Sequence, residues 1–98
     1  MNISYTLNDT DFEWDSQKAS SNLHKHDGSF ETACEAFFDP FFCIVDAGVI
    51  DGEEREALIG MTVNWRLLYV EYTIRSEVVR IISARLVTKH ERKTYEEQ

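Results

Sequence analysis

The stretch from Val78 to Arg85 constrains the fold most strongly, because its β-branched residues predict a strand with apolar side chains on both faces. Arg80 and Arg85 interrupt this apolar run. Side chains alternate along a strand, so the two arginines are expected to point to opposite faces of the sheet. A charged side chain that leaves a buried strand needs a carboxylate, a phosphate or water to receive it. This strand is therefore the first candidate for a functional site.

Two helices are predicted ahead of this strand. Asp15 is a suitable N-cap for a first helix that runs to about His26. Ser29 can cap a second helix, whose apolar residues have the spacing of one helical stripe: Phe30, Ala33, Cys34, Phe37 and Phe38. Pro40 ends this helix, since the residue before a proline avoids the helical conformation.

Strand patterns fill much of the remaining chain. Phe12–Asp15 is predicted to be a short strand, and longer strands are predicted at Phe41–Asp46, Ala57–Thr62 and Leu68–Arg75, with a solvated loop over residues 47–54. The last two of these strands and the Val78–Arg85 strand follow one another with short connections. We therefore expect an antiparallel meander.

A capping box at Thr88 and Glu91 predicts a final helix that runs to about Glu96. The expected fold class is α+β, a small domain with two N-terminal helices, an antiparallel β-sheet meander and a C-terminal helix. The length of 98 residues fits one domain, which we assign to residues 12–98. Residues 1–11 are expected to form an N-terminal arm, either loosely held or paired in part as an edge strand.

The formal net charge of −8 argues against nucleic-acid binding when taken alone, but the charge is unevenly distributed. Between Arg75 and Tyr95 six basic residues face two acidic ones, so this segment carries +4 and the rest of the chain −12. Such a division permits a cationic surface on an acidic protein. It also suggests that the acidic part meets a basic partner.

The two cysteines, Cys34 and Cys43, lie in apolar stretches and have no second pair beside them. This pattern favours buried free thiols in a reducing compartment over a zinc site or a disulfide framework. No apolar run approaches the roughly 18 residues that span a bilayer, and no secretory leader pattern is present. We therefore expect a cytoplasmic protein without a membrane association.

Several phrases of the sequence share one register with a known family of toxins. They are Phe12-Glu13-Trp14-Asp15, Asn22-x-x-Lys25-His26-x-x-Ser29-Phe30-Glu31-x-Ala33, Phe38-Asp39-Pro40, Gly52-Glu53-Glu54-Arg55, Ile59-Gly60, Tyr72-Thr73-x-Arg75, Arg80-Ile81-Ile82-Ser83-Ala84-Arg85 and Glu91-Arg92-x-x-Tyr95-Glu96. Over about residues 12–97 the chain thus resembles the BrnT family.

The resemblance implies a compact RelE-like ribonuclease fold and a type II toxin–antitoxin pair. It implies RNA cleavage without a metal or an organic cofactor, and inhibition of translation and growth. The implied partner is a BrnA-like antitoxin with a ribbon-helix-helix DNA-binding portion. Operator DNA is then reached only through the toxin–antitoxin complex, which represses its own operon.

This sequence departs from the family pattern at several positions. Asp27 and Gly28 replace a glycine and an aliphatic residue after the Lys25-His26 pair, and Glu71 interrupts a usually apolar strand. The last helix is less arginine-rich than is usual in the family. These departures leave a second interpretation open, in which the chain is a catalytically weak or inactive antitoxin-binding module that acts in operon autorepression.

RNA cleavage without a metal requires a proton acceptor, a cation that stabilises the phosphorane and a proton donor. Arg75 and Arg85 are candidates for the cation, since a guanidinium donates two parallel hydrogen bonds to phosphate oxygens. They lie on strands predicted to be adjacent, so we expect them to hold the scissile phosphate jointly. The alternative is that either arginine pairs structurally with Glu71 or Glu77. Arg80, on the opposite face, is expected to form a structural ion pair or a partner contact.

His26 is the candidate for proton transfer, because histidine exchanges protons near neutral pH. Lys25, next to it, is a candidate phosphate contact. In the last helix Lys89, Arg92 and Lys93 are candidates for salt-dependent contacts with the RNA backbone. Each of these residues can equally be an ordinary surface charge. No metal-ligand set and no phosphate-cradling glycine loop is found in the sequence.

Overall fold

The computed structural model describes the backbone of residues 1–98 and every side chain except that of Asp46. Six strands, three α-helices and one short 3-10 helix (η1) follow one another along the chain. They are β1 (Asn2–Leu7), β2 (Thr10–Asp15), α1 (Ser16–His26), α2 (Phe30–Glu35), η1 (Ala36–Phe38), β3 (Cys43–Ile50), β4 (Glu53–Met61), β5 (Leu67–Arg75), β6 (Val78–Leu86) and α3 (Lys89–Glu96).

The strands form one mixed sheet in the order β1-β2-β6-β5-β4-β3. Strands β3 to β6 pair antiparallel with their chain neighbours, whereas β2 pairs in parallel with β6. The predicted fold class, two N-terminal helices followed by an antiparallel meander, is therefore wrong. Two strands precede the helices, and the sheet is mixed because β2 pairs in parallel with β6. The long connection that a parallel pair requires contains α1, α2, η1 and the strands β3 to β5.

The N-terminal arm contains an edge strand. β1 pairs antiparallel with β2 over six residues, from Asn2 opposite Asp15 to Leu7 opposite Thr10. The turn between them has Asn8 and Asp9 at φ 50° and 63°, a left-handed conformation that asparagine and aspartate tolerate better than most residues. Residues 1–11 thus contribute to the same sheet as the rest of the chain.

The solvated loop predicted over residues 47–54 is wrong. Strands β3 and β4 form a hairpin whose turn is Asp51-Gly52, with φ values of 53° and 77°. An Asp-Gly pair favours a two-residue hairpin turn, because both central positions need positive φ. The sequence contains the Asp-Gly turn signal, but the acidic residues around it led to the prediction of a solvated loop where the structure has two strands.

The helices begin where the sequence predicts, although α2 ends at Glu35 and its predicted last turn, with Phe37 and Phe38, is the 3-10 helix η1. The Asp15 carboxylate caps α1 by accepting from the Gln17 and Lys18 amides at 3.1 Å each, and the Ser29 hydroxyl accepts from the Thr32 amide. The capping box of α3 is present, with the Thr88 hydroxyl accepting from the Glu91 amide and the Glu91 carboxylate accepting from the Thr88 amide. Each of these helix ends is fixed by side chains close in sequence.

The main core lies between one face of the sheet and the layer of α1, α2 and η1. Its members are almost completely buried side chains from both layers, among them Phe12, Trp14, Phe30, Leu58, Val70 and Ile81. Asn22 joins the layers by donating to the Ala84 carbonyl at 2.9 Å and accepting from the Ala84 amide at 3.1 Å. These two bonds fix the C-terminal half of α1 against β6.

A β-bulge changes the faces of β6. Glu71 pairs with Ser83 and the next residue, Tyr72, pairs with Ile81, so Ile82 has no partner on β5. One extra residue reverses the alternation beyond it. Arg80 and Arg85 are therefore on the same face of the sheet, and their predicted placement on opposite faces is wrong.

This second face of the sheet, which we call the outer face, carries α3. Tyr69 alternates along β5 with the core residues Leu68 and Val70, and it lies directly opposite Arg85. The guanidinium of Arg85 contacts Glu91 of α3. The sheet is thus covered by helices on both faces. Among the described residues, no helix is long and apolar enough to cross a bilayer.

Candidate active site

One small pocket lies near the start of β5 and the end of β6. The pocket, of about 10 Å³, is bounded by His26 at the end of α1, Arg66 just before β5, and Arg85 near the end of β6. Ser29 and Thr32 of the α2 start complete its polar lining. His26 is exposed, so its imidazole can exchange protons with solvent or a bound substrate.

Arg66 was not predicted as a site residue. Its Nη1 donates to the Asp27 carbonyl at 3.3 Å, beside His26 in the chain. Of the six arginines it is the one without a carboxylate partner among the described side chains. A guanidinium held by a carbonyl keeps its positive charge uncompensated and can accept a phosphate. The signal in the sequence was its place directly after a turn, next to the exposed Trp65.

Arg85 is fixed by two neighbours on the outer face. Its Nη1 and Nη2 donate to the two carboxylate oxygens of Glu91 at 2.7 and 2.9 Å, and its guanidinium lies 4.2 Å from the centre of the Tyr69 ring. The hydrogen bonds that Arg85 donates to Glu91 raise the pKa of Arg85. The predicted alternative, a pair with Glu71 or Glu77, is wrong because Glu71 pairs with Arg55 at 3.1 Å and Arg85 pairs with Glu91.

Arg75 lies far from this pocket. It is opposite Val78 at the hairpin turn and six residues from Tyr69, which is about 20 Å at the rise of a strand. Its guanidinium contacts Glu53 across the neighbouring strand at 2.7 Å. Because Arg75 and Arg85 are at opposite ends of the hairpin, the prediction that they hold one phosphate jointly is wrong.

The remaining predicted cations are distributed over the surface. Lys25 is exposed at the end of α1, adjacent to His26, and Lys89 and Lys93 are exposed on α3. Arg92 is also exposed and lies 3.8 Å from Glu96, one turn further along α3. Arg80 contacts Glu13 at 2.6 Å, which confirms the structural ion pair expected for it. None of these side chains lines the pocket described above.

The comparison with protein families now identifies the chain. Residues 14–91 match the family described as "Ribonuclease toxin, BrnT, of type II toxin-antitoxin system". This segment includes His26, Arg66 and Arg85. The chain belongs to the BrnT family. It is therefore a ribonuclease toxin of the type II class, in which a toxin is matched by an antitoxin partner.

A solved BrnT structure has a similar fold. The chain is similar to the crystal structure of the ribonuclease toxin BrnT from Brucella abortus, with a TM-score of 0.53 and 22% sequence identity. The match covers 78% of this chain and 94% of the Brucella protein. A search of curated protein sequences finds no significant match. The described residues of this BrnT chain contain no group of three or more His, Cys, Asp and Glu side chains that could hold a metal ion.

The helix α3 of this BrnT chain is anchored through Asp39, a carboxylate only 8% exposed. Asp39 accepts from the Tyr95 hydroxyl at 2.5 Å, the Met61 amide at 2.8 Å and the Phe41 amide at 2.9 Å. Burial acts to raise the pKa of Asp39, but these three donors outweigh it and lower the pKa. Burial and the bond to Asp39 raise the pKa of Tyr95 to about 12.

Replacing Tyr95 by phenylalanine is expected to weaken the attachment of α3 to the rest of the fold. It should also make the free energy of unfolding depend less on pH in the acid range. A lost hydrogen bond to a buried charge costs about 1.5–3 kcal/mol. The depressed pKa of Asp39 means that the unfolded chain binds more protons, so this stability is present above the ordinary aspartate pKa of about 3.9. It is lost as pH falls from there through the lowered pKa of the folded protein. Urea unfolding at pH 7 and pH 3.5 should show a smaller difference in Tyr95→Phe than in the wild type.

Tyr5 offers a matched control for this substitution. It is half-buried, it packs on Trp14, and its hydroxyl has no hydrogen-bond partner among the described residues. Tyr5→Phe should have the wild-type free energy of unfolding at pH 7. Its free energy of unfolding should also fall between pH 7 and pH 3.5 by as much as that of the wild type. Equal unfolding free energies for Tyr95→Phe and wild type would mean that the Asp39 contact does not hold α3.

Proposed function

We propose that this chain cleaves RNA at the pocket formed by His26, Arg66 and Arg85, without a metal ion. The observation that carries the proposal is that His26 and Arg66 line a single pocket, with Arg85 on the strand that borders it. Among the described side chains no carboxylate lines that pocket, so a phosphate meets little repulsion there. Membership of the BrnT ribonuclease toxins supplies the reaction class.

The proposed reaction is an internal transfer at phosphorus. The 2′-oxygen of the substrate attacks the adjacent phosphorus as its proton is removed, and the bond from phosphorus to the 5′-oxygen breaks as that oxygen gains a proton. The products are a 2′,3′-cyclic phosphate and a 5′-hydroxyl. We assign the proton transfer to His26, since a positioned imidazole can serve as base or acid near neutral pH.

The two arginines are assigned to the negative charge of the phosphorane. Arg66, which has no carboxylate partner among the described residues, makes the principal phosphate contact. Arg85 makes the second contact from the edge of the pocket, where Glu91 and Tyr69 hold its guanidinium in one orientation. Lys25 and the α3 residues Lys89, Arg92 and Lys93 are assigned to the RNA backbone on either side of this site.

We propose further that the antitoxin partner is BrnA-like, with a ribbon-helix-helix DNA-binding portion. Operator DNA is then bound through the complex, and the free toxin acts on RNA in the cytoplasm. The two cysteines, Cys34 and Cys43, form no disulfide, as is usual in that compartment.

A second candidate function is an antitoxin-binding module with little or no cleavage activity, used in operon autorepression. The ion pairs favour it, because five of the six arginines contact carboxylates among the described side chains. Arg85 in particular has both terminal nitrogens occupied by Glu91. In this alternative Arg85 serves only to hold α3.

The test is RNA cleavage by the purified chain in the presence of a chelator, compared between His26→Ala and His24→Ala. His24 is the matched control, since it is exposed on the same helix end but does not line the pocket. We expect His26→Ala to reduce the cleavage rate about 10²–10⁴-fold, the usual contribution of a positioned acid or base. His24→Ala should cleave like the wild type.

Three results contradict the proposal in different ways. Loss of cleavage on adding the chelator means that a metal is required. Equal activity of His26→Ala and wild type removes the imidazole from the reaction. Absence of cleavage by the wild type, together with harmless expression and retained antitoxin binding, supports the module instead.

A further inference from the structure

A broad apolar groove lies on the side of the molecule that carries the start of β3. It is bounded by the segment Phe38–Phe41, by the β4–β5 turn and by Tyr95, and its volume is about 590 Å³. Three of its apolar side chains are largely exposed, Phe41 at 68%, Val63 at 73% and Trp65 at 83%. Contiguous exposed apolar surface of this kind marks an interaction site.

The backbone of Trp65 is fixed although its side chain is not buried. Its φ of 62° is a left-handed conformation that a bulky residue rarely adopts. Three hydrogen bonds close the turn around it, from the Trp65 amide to the Thr62 carbonyl, from the Thr62 amide to the Arg66 carbonyl and from the Arg66 amide to the Thr62 hydroxyl. Such strain persists where the surroundings impose it, often at functional sites. The turn thus presents an indole from an ordered backbone, and tryptophan is among the residues enriched at the energetic centres of interfaces.

The charges of the groove favour a protein over an RNA. Two carboxylates, Glu35 and Asp39, are among its lining residues, and no Lys, Arg or His is. Asp39 is already compensated by three donors. One oxygen of Glu35 accepts from the Val63 amide at 3.1 Å, which leaves the other for an incoming cation. A phosphate backbone would be repelled here, whereas a basic partner is complementary to a chain of net charge −8.

We propose that this groove is the docking site for the antitoxin, through a segment that places bulky apolar side chains on Trp65 and Phe41 and a Lys or Arg on Glu35. The proposal rests on the toxin–antitoxin pairing included in the function proposed above. Trp65 precedes Arg66 in the chain, so a segment seated on the indole lies next to the pocket assigned to the scissile phosphate. Docking therefore places the antitoxin where it can exclude RNA.

The experiment measures binding of the purified antitoxin encoded in the same operon to three variants of the full chain. Trp65→Asn removes the indole and keeps a residue that tolerates positive φ. Phe41→Ser removes the second anchor. Ile74→Ser is the matched control, because Ile74 is an apolar side chain 59% exposed outside this groove. Circular dichroism and the fluorescence of the buried Trp14 report whether each variant is folded.

We expect Trp65→Asn and Phe41→Ser each to raise the Kd for the antitoxin at least tenfold, and Ile74→Ser to leave it unchanged within twofold. Free Trp65→Asn should cleave RNA like the wild type. Unchanged antitoxin affinity in both groove variants, or an equal loss in Ile74→Ser, would overturn the proposal. So would a loss of RNA binding without a loss of antitoxin binding, which would make the groove a nucleic-acid surface.

The outcome is independent of whether the chain is an active nuclease. If the wild type does not cleave RNA but Trp65→Asn still loses the antitoxin, the docking site stands and the proposed catalysis fails. If the wild type cleaves RNA and the groove variants bind the antitoxin normally, the catalysis stands and the docking site fails.

Discussion

Replacing Arg66 by alanine is expected to slow RNA cleavage by about 10²–10³-fold, the usual cost of removing one preorganised group that stabilises charge in a transition state. The effect should fall on the cleavage step itself. A guanidinium strengthens its hydrogen bonds as charge accumulates on the phosphorane oxygens. Single-turnover cleavage of a short RNA under saturating enzyme measures that step directly.

Arg75→Ala is the matched control for Arg66→Ala. Arg75 is the last residue of β5, the strand that follows Arg66, and it pairs with Glu53 at the far end of that strand. Its loss should leave the cleavage rate within about twofold of wild type, since surface ion pairs contribute little. Equal slowing by the two substitutions would indicate general electrostatic attraction of RNA. A defect in Arg75→Ala alone would place the phosphate site at the hairpin turn.

Arg85 requires a different design, because it also holds α3 through Glu91. Hydrogen bonding from Arg85, aided by the Thr88 amide, lowers the pKa of Glu91. Arg85→Ala therefore removes a pocket residue and an ion pair together, and its unfolding free energy must be measured beside its activity. Glu91→Gln disturbs the same pair but keeps the guanidinium. A slow Arg85→Ala with an active Glu91→Gln would assign Arg85 to the substrate.

The features that the sequence predicted correctly are set by neighbouring residues. The N-caps Asp15 and Ser29 and the capping box of Thr88 and Glu91 each need only residues within one helical turn. The features that it missed depend on residues far apart in the chain. The parallel pairing of β2 with β6 joins Glu13 to Arg80. Nothing local in either segment specifies that contact.

The candidate site was predicted only in part, because it also depends on residues that are far apart in the chain. His26 and Arg85 were proposed from residue type, and both line the pocket. The position of Arg75 followed from assuming that adjacent strands bring their arginines together, although an antiparallel hairpin separates their ends. The bulge at Ile82, which puts Arg80 and Arg85 on one face, has no sequence signal in an apolar run. Arg66 was missed because its role depends on the Asp27 carbonyl, 39 residues earlier in the chain.

Replacing Gly60 by alanine is expected to destabilise the fold more than any exposed substitution discussed above. Gly60 lies in the buried middle of the sheet, on β4, where η1 crosses it. A Cβ at this position would overlap the Ala36 carbonyl oxygen and lie 3.0 Å from Cδ2 of Leu58. The first of these atoms belongs to a backbone, which cannot rotate out of the way as a side chain can.

The η1 backbone has little room to retreat. Ala36 is fully buried, and Asp39, at the end of η1, is bound to the Met61 amide of β4 at 2.8 Å. Moving η1 away from Gly60 would stretch that bond and disturb the anchor of α3. Overpacking of this kind costs about 3 kcal/mol, which lowers the Tm of a domain of this size by about 10–20 °C.

Gly28→Ala is the control, since the nearest atom to its added Cβ is the His26 carbonyl oxygen at 3.9 Å, an ordinary contact. Its Tm should stay within a few degrees of wild type. Thermal unfolding followed by circular dichroism compares the two variants under one condition. A Gly60→Ala protein as stable as Gly28→Ala would mean that η1 does not press on β4, and the close packing that fixes Asp39 beneath α3 would have to be revised.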